Sequence, residues 1–508
     1  MISRSPRRVT PPYHSTRALG AAIVAGLLLF GAAVDARADD EVVRKFQRTL
    51  NLTKGGVSID HRMGSVVIRT HRKPQVVVNA VIKTSAAGKE AAERLAEQIA
   101  IVAEEKPSGV VIRTEIPNLK TRHGKLSFSV DYDIVMPESA PLTLRNRFGN
   151  VSVSDLKATA DIVNSHGRVE VRNGRGSQRI ENSFGSIDVA QIHGDTTIQD
   201  NNGAISVKGV NGSLAVTNRF GSVKVSDVSR AVTITNANGS IDASDVGNAM
   251  IKSSFGSVSA SRIRGGLQVT NTNGRVDVRD VNGNATLRTS FGSINFSTIQ
   301  GNVECKSTNS RILGKDVNGN ATIENTFGTV EVRGVNGSSR ISNQNGSTSA
   351  SGIGGNLTID SRFGLVKADR IGGSIEVENA NGGVNASSVG GEAKIRTSFA
   401  PVFLNGVGRS VEVQNQNGSI AVSGLSAAAG KSCNAISLKT SFGALRVAVP
   451  QNGAYQVSAR TSFGRIVTDL PLTVTESGEG SLSGTIGAGN CNLILANQNG
   501  NIQIERSE

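Results

Sequence analysis

The fold of this chain can be decided from residues 184–221, which read FGSIDVAQIHGDTTIQDNNGAISVKGVNGSLAVTNRFG. This stretch begins with Phe184-Gly185 and ends with Phe220-Gly221, and Asn202-Gly203 lies halfway between them. The chain therefore repeats every 18 residues, with Phe and Asn alternating at one position of the repeat.

The repeat continues through most of the chain. Phe precedes Gly, or Ala in one unit, at positions 148, 184, 220, 255, 291, 327, 363 and 399, and Asn-Gly dipeptides begin at 202, 238, 273, 345, 381 and 417. His166-Gly167 and Asn309-Ser310 fill the two remaining places. Sixteen unit heads follow, at 149, 167, 185, 203, 221, 239, 256, 274, 292, 310, 328, 346, 364, 382, 400 and 418, and one deletion after Gly239 explains the single short step.

Apolar residues keep fixed offsets of +2, +4, +7, +11 and +13 from the head of each unit. In the unit that begins at Gly185 they are Ile187, Val189, Ile192, Thr196 and Ile198. A spacing of two places side chains on one face of a strand, whereas a helix would need spacings of three and four. Each unit is therefore predicted to form two short strands with a bend between them.

A unit of this size cannot bury its apolar face alone, because ordering its backbone costs more than its few apolar side chains return. Stacking each unit on the next resolves this conflict by sharing both the core and a ladder of backbone hydrogen bonds. The sequence therefore predicts an all-β fold, a parallel β-solenoid (β-helix) of about sixteen 18-residue coils.

The corners of the coil carry residues suited to turns. Offset +6 is often Asp, Asn or Gly, which tolerate left-handed backbone. Stacked amides or hydroxyls are predicted at offset +15, at Asn164, Asn182, Asn218, Asn236, Thr289, Asn325, Asn343, Asn379, Thr397 and Asn415. Because the phenylalanines of the Phe-Gly dipeptides share the parity of +11, +13 and +15, they are predicted to form an internal stack rather than an exposed aromatic track.

The two ends of the chain depart from the repeat. Residues 39–147 are predicted to form a small α+β N-terminal cap, with a helix over about 86–98, a hairpin at 106–109 and a first coil at 64–69. Residues 148–425 hold the regular coils. Residues 426–508 are predicted to form degenerate coils and a C-terminal cap. Caps are expected because an open solenoid exposes unpaired strand edges.

The first 38 residues resemble an export signal. Arg4, Arg7, Arg8 and Arg17 precede an apolar run at 18–34, and Ala36-Arg37-Ala38 offers a cleavage site. An uncleaved anchor is the alternative. Removal of residues 1–38 lowers the net charge from +14 to +10, because five Arg and one Asp are lost. We therefore expect a periplasmic, secreted or cell-surface protein that is not an integral membrane protein after cleavage. It should not bind nucleic acid, because its basic residues form no cluster.

The sequence contains few candidates for catalytic or metal-binding residues. Cys305 is predicted to be buried, which leaves Cys433 and Cys491 as a possible disulfide. His61, His71, His123, His166 and His193 show no metal-ligand spacing. Stacking would pair Glu170 with Asp188 and Asp227 with Asp245, and such carboxylate pairs suit glycoside hydrolysis or calcium binding. No residue is assigned a catalytic, cofactor-binding or metal-binding role, and no cofactor is expected.

One resemblance is specific. The segments at 441–450 (SFGALRVAVP) and 457–466 (VSARTSFGRI), followed by Gly487 to Gly500 and Ile502-Gln503-Ile504, resemble the C-terminal signature of a bacterial "putative adhesin" domain family of unknown function. That family is similar to the head regions of autotransporter adhesins. The resemblance implies the β-solenoid fold, and it brings no catalytic residues.

The sequence favours a non-enzymatic, exported solenoid that acts as an adhesin-like, scaffold or interaction surface in the cell envelope. The expected partner is an envelope or surface protein or a glycan. The alternative is a carbohydrate-active β-helix enzyme, a polysaccharide lyase or hydrolase. Proteins that bind or cleave sugars usually hold the sugar ring against aromatic side chains. Trp is absent from this chain, and only Tyr132 and Tyr455 follow the predicted signal segment, so neither sugar-related function gains support. End-to-end assembly through uncapped edges is a third possibility.

Overall fold

The computed structural model describes residues 40–116, 126–426 and 433–507. The predicted signal segment, residues 1–38, and His123 lie outside these ranges. The predicted fold is confirmed: the chain is a parallel β-solenoid whose coils contribute one strand to each of two sheets. We name them sheet A and sheet B.

Sheet A contains the strands that follow the midpoint of each coil. They are β2 (Gly56–Asp60), β8 (Leu142–Phe148), β10 (Ala160–His166), β12 (Gln178–Phe184), β14 (Thr196–Asn202), β16 (Leu214–Phe220), β18 (Val232–Asn238), β20 (Ala249–Phe255), β22 (Leu267–Asn273), β26 (Ala321–Phe327), β28 (Ser339–Asn345), β30 (Leu357–Phe363), β32 (Ile375–Asn381), β34 (Ala393–Phe399), β36 (Val411–Asn417), β38 (Ile436–Lys439), β40 (Tyr455–Phe463) and β44 (Cys491–Asn499).

Sheet B contains the strands that open each coil. They are β3 (Val66–His71), β9 (Val151–Ser154), β11 (Val169–Arg172), β13 (Ile187–Ile192), β15 (Ile205–Val210), β17 (Val223–Val228), β19 (Ile241–Val246), β21 (Val258–Ile263), β23 (Val276–Val281), β27 (Val330–Val335), β29 (Thr348–Ile353), β31 (Val366–Ile371), β33 (Val384–Val389), β35 (Val402–Val407), β37 (Ile420–Ser423), β39 (Leu445–Val449), β41 (Ile466–Thr468) and β45 (Ile502–Arg506). Two long strands, β24 (Ala285–Ile299) and β25 (Val303–Val317), run from sheet A into sheet B.

The register matches the predicted period. Ile187 pairs with Ile205 and Thr196 pairs with Leu214, each 18 residues on, and Val232 pairs with Ala249 across the deletion. The side chains at +2, +4, +7, +11 and +13 of the Gly185 unit are all buried, as predicted. The core is therefore a continuous apolar column between the two sheets.

The predicted bend is also confirmed. The residue at +6 has a positive φ in all sixteen units: eleven of these residues are not glycine, among them Asp227 (58°) and Asp280 (57°), and five are glycine. Pairing in sheet B skips this residue and resumes at +7. Asp and Asn are frequent here because they tolerate left-handed backbone.

The N-terminal region caps one end. The first coil, β2 and β3, stacks directly on β8 and β9, and the intervening segment extends the stack outward with β6 (Gly109–Glu115) and β7 (Ser127–Pro137). The remaining strands β1 (Asp40–Asn51), β4 (Gln75–Ala86) and β5 (Ala100–Lys106) add antiparallel edges. Helix α1 (Lys89–Gln98) contacts β1 and β4, and it buries Ala92, Leu95 and Ala96.

The C-terminal coils are stacked out of chain order, which the sequence did not predict. The last coil in the chain, β44 and β45, lies between the coil of β38 and β39 and the coil of β40 and β41. Antiparallel strands β42 (Thr473–Gly478) and β43 (Ser481–Ile486) extend sheet A beyond β40. Cys433 and Cys491 form a disulfide that ties adjacent coils together.

Among the residues that the structure describes, no helix has the length and apolar character needed to cross a membrane.

Candidate interaction surface

Every coil turns from sheet A to sheet B at its unit head, and buried amides close this corner. Asn182 Nδ2 donates to the carbonyl oxygens of Gly167 and Gly185, at 3.0 and 2.9 Å. Asn343 repeats the arrangement with Gly328 and Gly346, both at 3.1 Å. Neighbouring amides also bond to each other, as Asn146 Nδ2 does to Asn164 Oδ1 at 3.1 Å. The predicted ladder at offset +15 is thus confirmed, and it satisfies the backbone of the turn.

The phenylalanines of the Phe-Gly dipeptides lie outside this ladder, so the prediction of an internal stack was wrong. All ten of them are exposed, from 42% at Phe148 to 72% at Phe463. Pairing in sheet A runs from +11 to +15, skips +16 and resumes at +17. The corner therefore falls after the buried amide, and it resets the alternation of inward and outward side chains.

These side chains form one uninterrupted row along the solenoid, in which every second level is Phe. Its twenty levels, in spatial order, are Met63, Phe148, His166, Phe184, Asn202, Phe220, Asn238, Phe255, Asn273, Phe291, Asn309, Phe327, Asn345, Phe363, Asn381, Phe399, Asn417, Phe442, Asn499 and Phe463.

The alternation holds even where the coils are stacked out of chain order. Asn499, from the last coil of the chain, lies between Phe442 and Phe463. With strands about 4.8 Å apart, the rings recur about every 9.5 Å over roughly 90 Å. Half-exposed rings of about 200 Å² each give roughly 1,000 Å² of exposed ring surface in total, divided among ten regularly spaced sites.

The orientation of the rings is visible where the row contains a histidine. His166 stacks between Phe148 and Phe184, with centroid distances of 4.6 and 4.8 Å and interplanar angles of 22° and 16°. Because these rings stack along the solenoid axis, their faces point along the row and their edges point outward. We call this surface the aromatic edge: at each level of the row it comprises the Phe, Asn, His or Met, the residue before it, and the residue after the following unit head.

The aromatic edge carries basic side chains and no acidic ones. Its sixty positions contain eight arginines, no lysine, no aspartate and no glutamate. The arginines are all exposed, and they are Arg62, Arg147, Arg168, Arg219, Arg275, Arg311, Arg362 and Arg465. The guanidinium carbon of Arg219 lies 5.5 Å from the centre of the Phe220 ring, which is a cation–π contact.

The other turn, which we call the glycine edge, has different chemistry. It comprises the three residues at +8 to +10 of each coil, such as Asn282, Gly283 and Asn284. Amide oxygens there accept bonds from the next coil, for example Asn284 Oδ1 from the Asn302 backbone N–H at 2.9 Å. Within residues 157–426, as far as the structure describes them, this edge has no Phe or Tyr, and its charges are of both signs.

The carboxylate pairs suggested by the sequence do not form a catalytic arrangement. Glu170 and Asp188 pair in register on sheet B, but Arg172 contacts Glu170, and Arg168 Nε lies 2.9 Å from Asp188. Arg262 binds Asp245 through both carboxylate oxygens, at 2.7 and 2.6 Å, which lowers the pKa of that carboxyl. Arginines thus occupy Glu170, Asp188 and Asp245, and Asp227, at the +6 bend, has no ion pair with any described residue.

The histidines are dispersed, and both tyrosines in the described part of the chain are internal. His61 is buried in the N-terminal cap, where Nδ1 lies 2.9 Å from Thr114 Oγ1, and burial lowers its pKa to about 4. Thr114 also bonds to the Tyr132 hydroxyl at 2.7 Å, and burial raises the Tyr132 pKa to about 12. Tyr455 is buried as well, so neither tyrosine offers a platform for a sugar.

No group of three or more His, Cys, Asp or Glu in the described part of the chain could hold a metal ion. Cys305 is buried, as predicted, and burial raises the pKa of its thiol. A prominent concavity is an open depression of about 720 Å³ on sheet A, lined by side chains of both charges such as Asp360, Arg396 and Lys439. A depression open to water in this way does not supply the dry environment that catalysis by a carboxylate pair needs.

The comparisons with known proteins identify no family. No family model matches the chain, and no curated protein matches it. Two solved structures match at 10% identity. One is described as a putative cell adhesion protein from Clostridium sporogenes; the match has a TM-score of 0.17 and covers 43% of this chain and 99% of that chain. The other is described as a putative adhesin from Parabacteroides distasonis; the match has a TM-score of 0.22 and covers 56% of this chain and 97% of that chain.

Both descriptions agree with the resemblance that the sequence shows to the "putative adhesin" family. At these TM-scores the likeness carries no argument about function.

Proposed function

We propose that this protein is an exported, non-enzymatic interaction protein of the cell envelope, and that the aromatic edge is its contact surface. The observation that supports the proposal is the regular row in which every second level is an exposed phenylalanine. Ten exposed rings at regular intervals along one edge differ from the single, scattered apolar residues that are normal on a soluble protein.

The periodic layout suits multivalent binding. Ten similar contacts at intervals of about 9.5 Å would each be weak, but a rigid rod presents them together, and linked contacts raise the overall affinity steeply. A repeating partner, or a continuous surface, matches this layout better than a single small ligand does. Both an adhesin-like function and a scaffold function require such multivalent binding.

The carbohydrate-active alternative has less support on chemical grounds. Glu170, Asp188 and Asp245 contact arginines, which occupy their carboxylate oxygens. A general acid for glycoside hydrolysis needs a raised pKa in a site shielded from water. Neither Glu170→Ala nor Asp188→Ala should therefore alter turnover of any envelope polysaccharide.

The test is retention of the chain on isolated cell-envelope fractions. Replacing Phe291, Phe327 and Phe363 together with Asn, the residue native to alternate levels of the row, should reduce retention at least tenfold. The matched control replaces exposed Met250, partly exposed Leu313 and exposed Phe403, which lie on the sheet surfaces, with Asn and should leave retention unchanged. Equal retention of the two triple variants would contradict the proposal.

A further inference from the structure

We propose that the aromatic edge binds the surface of an anionic lipid bilayer, with phenylalanine rings entering the interfacial layer and arginines binding lipid phosphates. This inference rests on the proposed function, because it names the partner of the same surface. Its evidence is the charge, the shape and the ring orientation of the edge.

The charge of the edge selects an anionic partner. In sixty positions with eight arginines and no carboxylate, only Arg168 and Arg275 have ion pairs, with Asp188 at 2.9 Å and Asp277 at 2.6 Å. The other six arginines have no ion pair with any residue that the structure describes. Guanidinium groups left free beside apolar rings are suited to phosphate, which they bind through two parallel hydrogen bonds.

The rest of the solenoid surface does not share this property. On the sheet surfaces carboxylates lie beside basic residues, as in the pairs Glu376–Lys394 at 2.8 Å and Glu324–Lys306 at 2.6 Å. Carboxylates are thus interspersed with the basic residues on the sheet surfaces, whereas the aromatic edge has none.

The shape of the edge favours a surface over a groove-filling ligand. The row follows the outside of a corner, so it is convex, and it runs along the solenoid for about 90 Å. A bilayer is a continuous surface that such a ridge can contact along its whole length. Apolar rings combined with basic side chains are the composition of segments that lie in a membrane interface and bind anionic lipids.

Two other partners fit the edge less well. A second copy of the chain would bring arginines against arginines, without one carboxylate to compensate them. A glycan chain stacks on ring faces, whereas Phe148, His166 and Phe184 direct their faces along the row and their edges outward.

The first experiment uses the absence of tryptophan from the chain. Phe327→Trp places a single fluorophore on the aromatic edge, and Phe403→Trp places one on sheet B at a comparably exposed site, 49% against 50%. Each full-length variant is mixed with vesicles of phosphatidylglycerol and phosphatidylcholine, or of phosphatidylcholine alone, with or without brominated acyl chains.

With anionic vesicles the Phe327→Trp emission should shift to the blue, and brominated lipid should quench it roughly twofold. Phe403→Trp should show neither change. Because the reporter is local, insertion of the apolar run at 18–34 would not mimic this result. Absence of the shift and of quenching at Phe327→Trp would overturn the inference.

The second experiment tests the arginines. Replacing Arg219, Arg311 and Arg362 with Glu should weaken the vesicle-dependent signal of Phe327→Trp on the order of 100-fold, from the usual contribution of a basic residue near an anionic surface. The matched control, Arg230→Glu with Arg409→Glu on the glycine edge, should change it by less than about twofold. An equal effect of both sets would contradict binding through the aromatic edge.

The remaining outcomes separate this inference from the proposed function. Equal binding to neutral and anionic vesicles would overturn the role of the arginines. A blue shift without lipid that grows with protein concentration would identify a second copy as the occupant and overturn the inference. Failure with all vesicles, together with phenylalanine-dependent retention on protein or glycan fractions freed of lipid, would leave the proposed function standing and exclude the bilayer as its partner.

Discussion

At both edges of this solenoid the backbone of the turn needs hydrogen-bond partners, and the two edges supply them with different residues. At the aromatic edge, buried amides such as Asn182 satisfy the turn from inside the core, so the outward position is left free and carries Phe184. At the glycine edge, exposed amides such as Asn320 satisfy the turn from outside. At the corner beside the aromatic edge, the buried row at +15 thus stabilises the turn, and the exposed row at +17, two residues further on, remains free for the contacts that we propose.

The largest expected effect comes from removing a buried amide. Asn343→Ala would leave the carbonyls of Gly328 and Gly346 without their side-chain donor and open a cavity, at a cost of about 2–4 kcal/mol in the free energy of unfolding. Urea unfolding and amide hydrogen exchange in the adjacent coils would measure it.

The matched control is Asn336→Ala on the glycine edge. Its amide donates to Asn318 Oδ1 at 2.6 Å but is exposed to water, so the cost should stay within about 0.5 kcal/mol. Equal losses at the two sites would remove the distinction between the edges.

A smaller effect, with a sign that depends on pH, is expected at Asp200. This residue occupies a position of the buried ladder where Asn182 and Asn218 precede and follow it, and burial raises its pKa to about 6. A carboxylate cannot donate to the turn carbonyls as an amide does. Asp200→Asn should therefore stabilise the chain by about 2 kcal/mol at pH 7.5.

The pH dependence follows from the direction of the shift. Because the folded pKa lies above the unfolded value of 3.8, protonated Asp200 stabilises the fold below about pH 4, and this contribution is lost as the pH rises through 6. The advantage of Asp200→Asn should accordingly disappear at pH 4. The reverse change, Asn182→Asp, should destabilise the chain at pH 7.5, and a pH-independent result for both variants would contradict this account.

The smallest effect on stability is expected at the exposed ring. Phe363 is 50% exposed and Asn would keep part of its contacts, so Phe363→Asn should lower the free energy of unfolding by only about 1 kcal/mol. Calorimetry or urea unfolding would measure this change. A loss of about 3 kcal/mol, typical of truncating a core ring, would show that the phenylalanine row supports the fold.

Much of the fold follows from periodicity. The offsets of Ile187, Val189 and Ile198 identify the core because alternation holds within a regular strand. The alternation of inward and outward side chains does not extend to Phe184, because the corner after Asn182 interrupts the regular strand. The sequence does hold one signal of this edge. No carboxylate lies directly before the Phe or directly after the following glycine or alanine.

The ends were less predictable for a different reason. The segments around Phe442, Phe463 and Asn499 all resemble ordinary coils, and their motifs do not encode the order in which they stack. That order depends on contacts distant in sequence, including the disulfide between Cys433 and Cys491. The antiparallel strands of the N-terminal cap are long-range pairings of the same kind.

The exposure of the phenylalanine row can be measured directly by thiol labelling of Phe327→Cys in the native protein. The native cysteines should not be labelled, since Cys305 is buried and Cys433 forms a disulfide with Cys491. We predict that the new thiol reacts within roughly tenfold of the rate of an unstructured cysteine. Reaction only after unfolding, at the pace of Cys305, would place this side chain inside the solenoid and contradict the account.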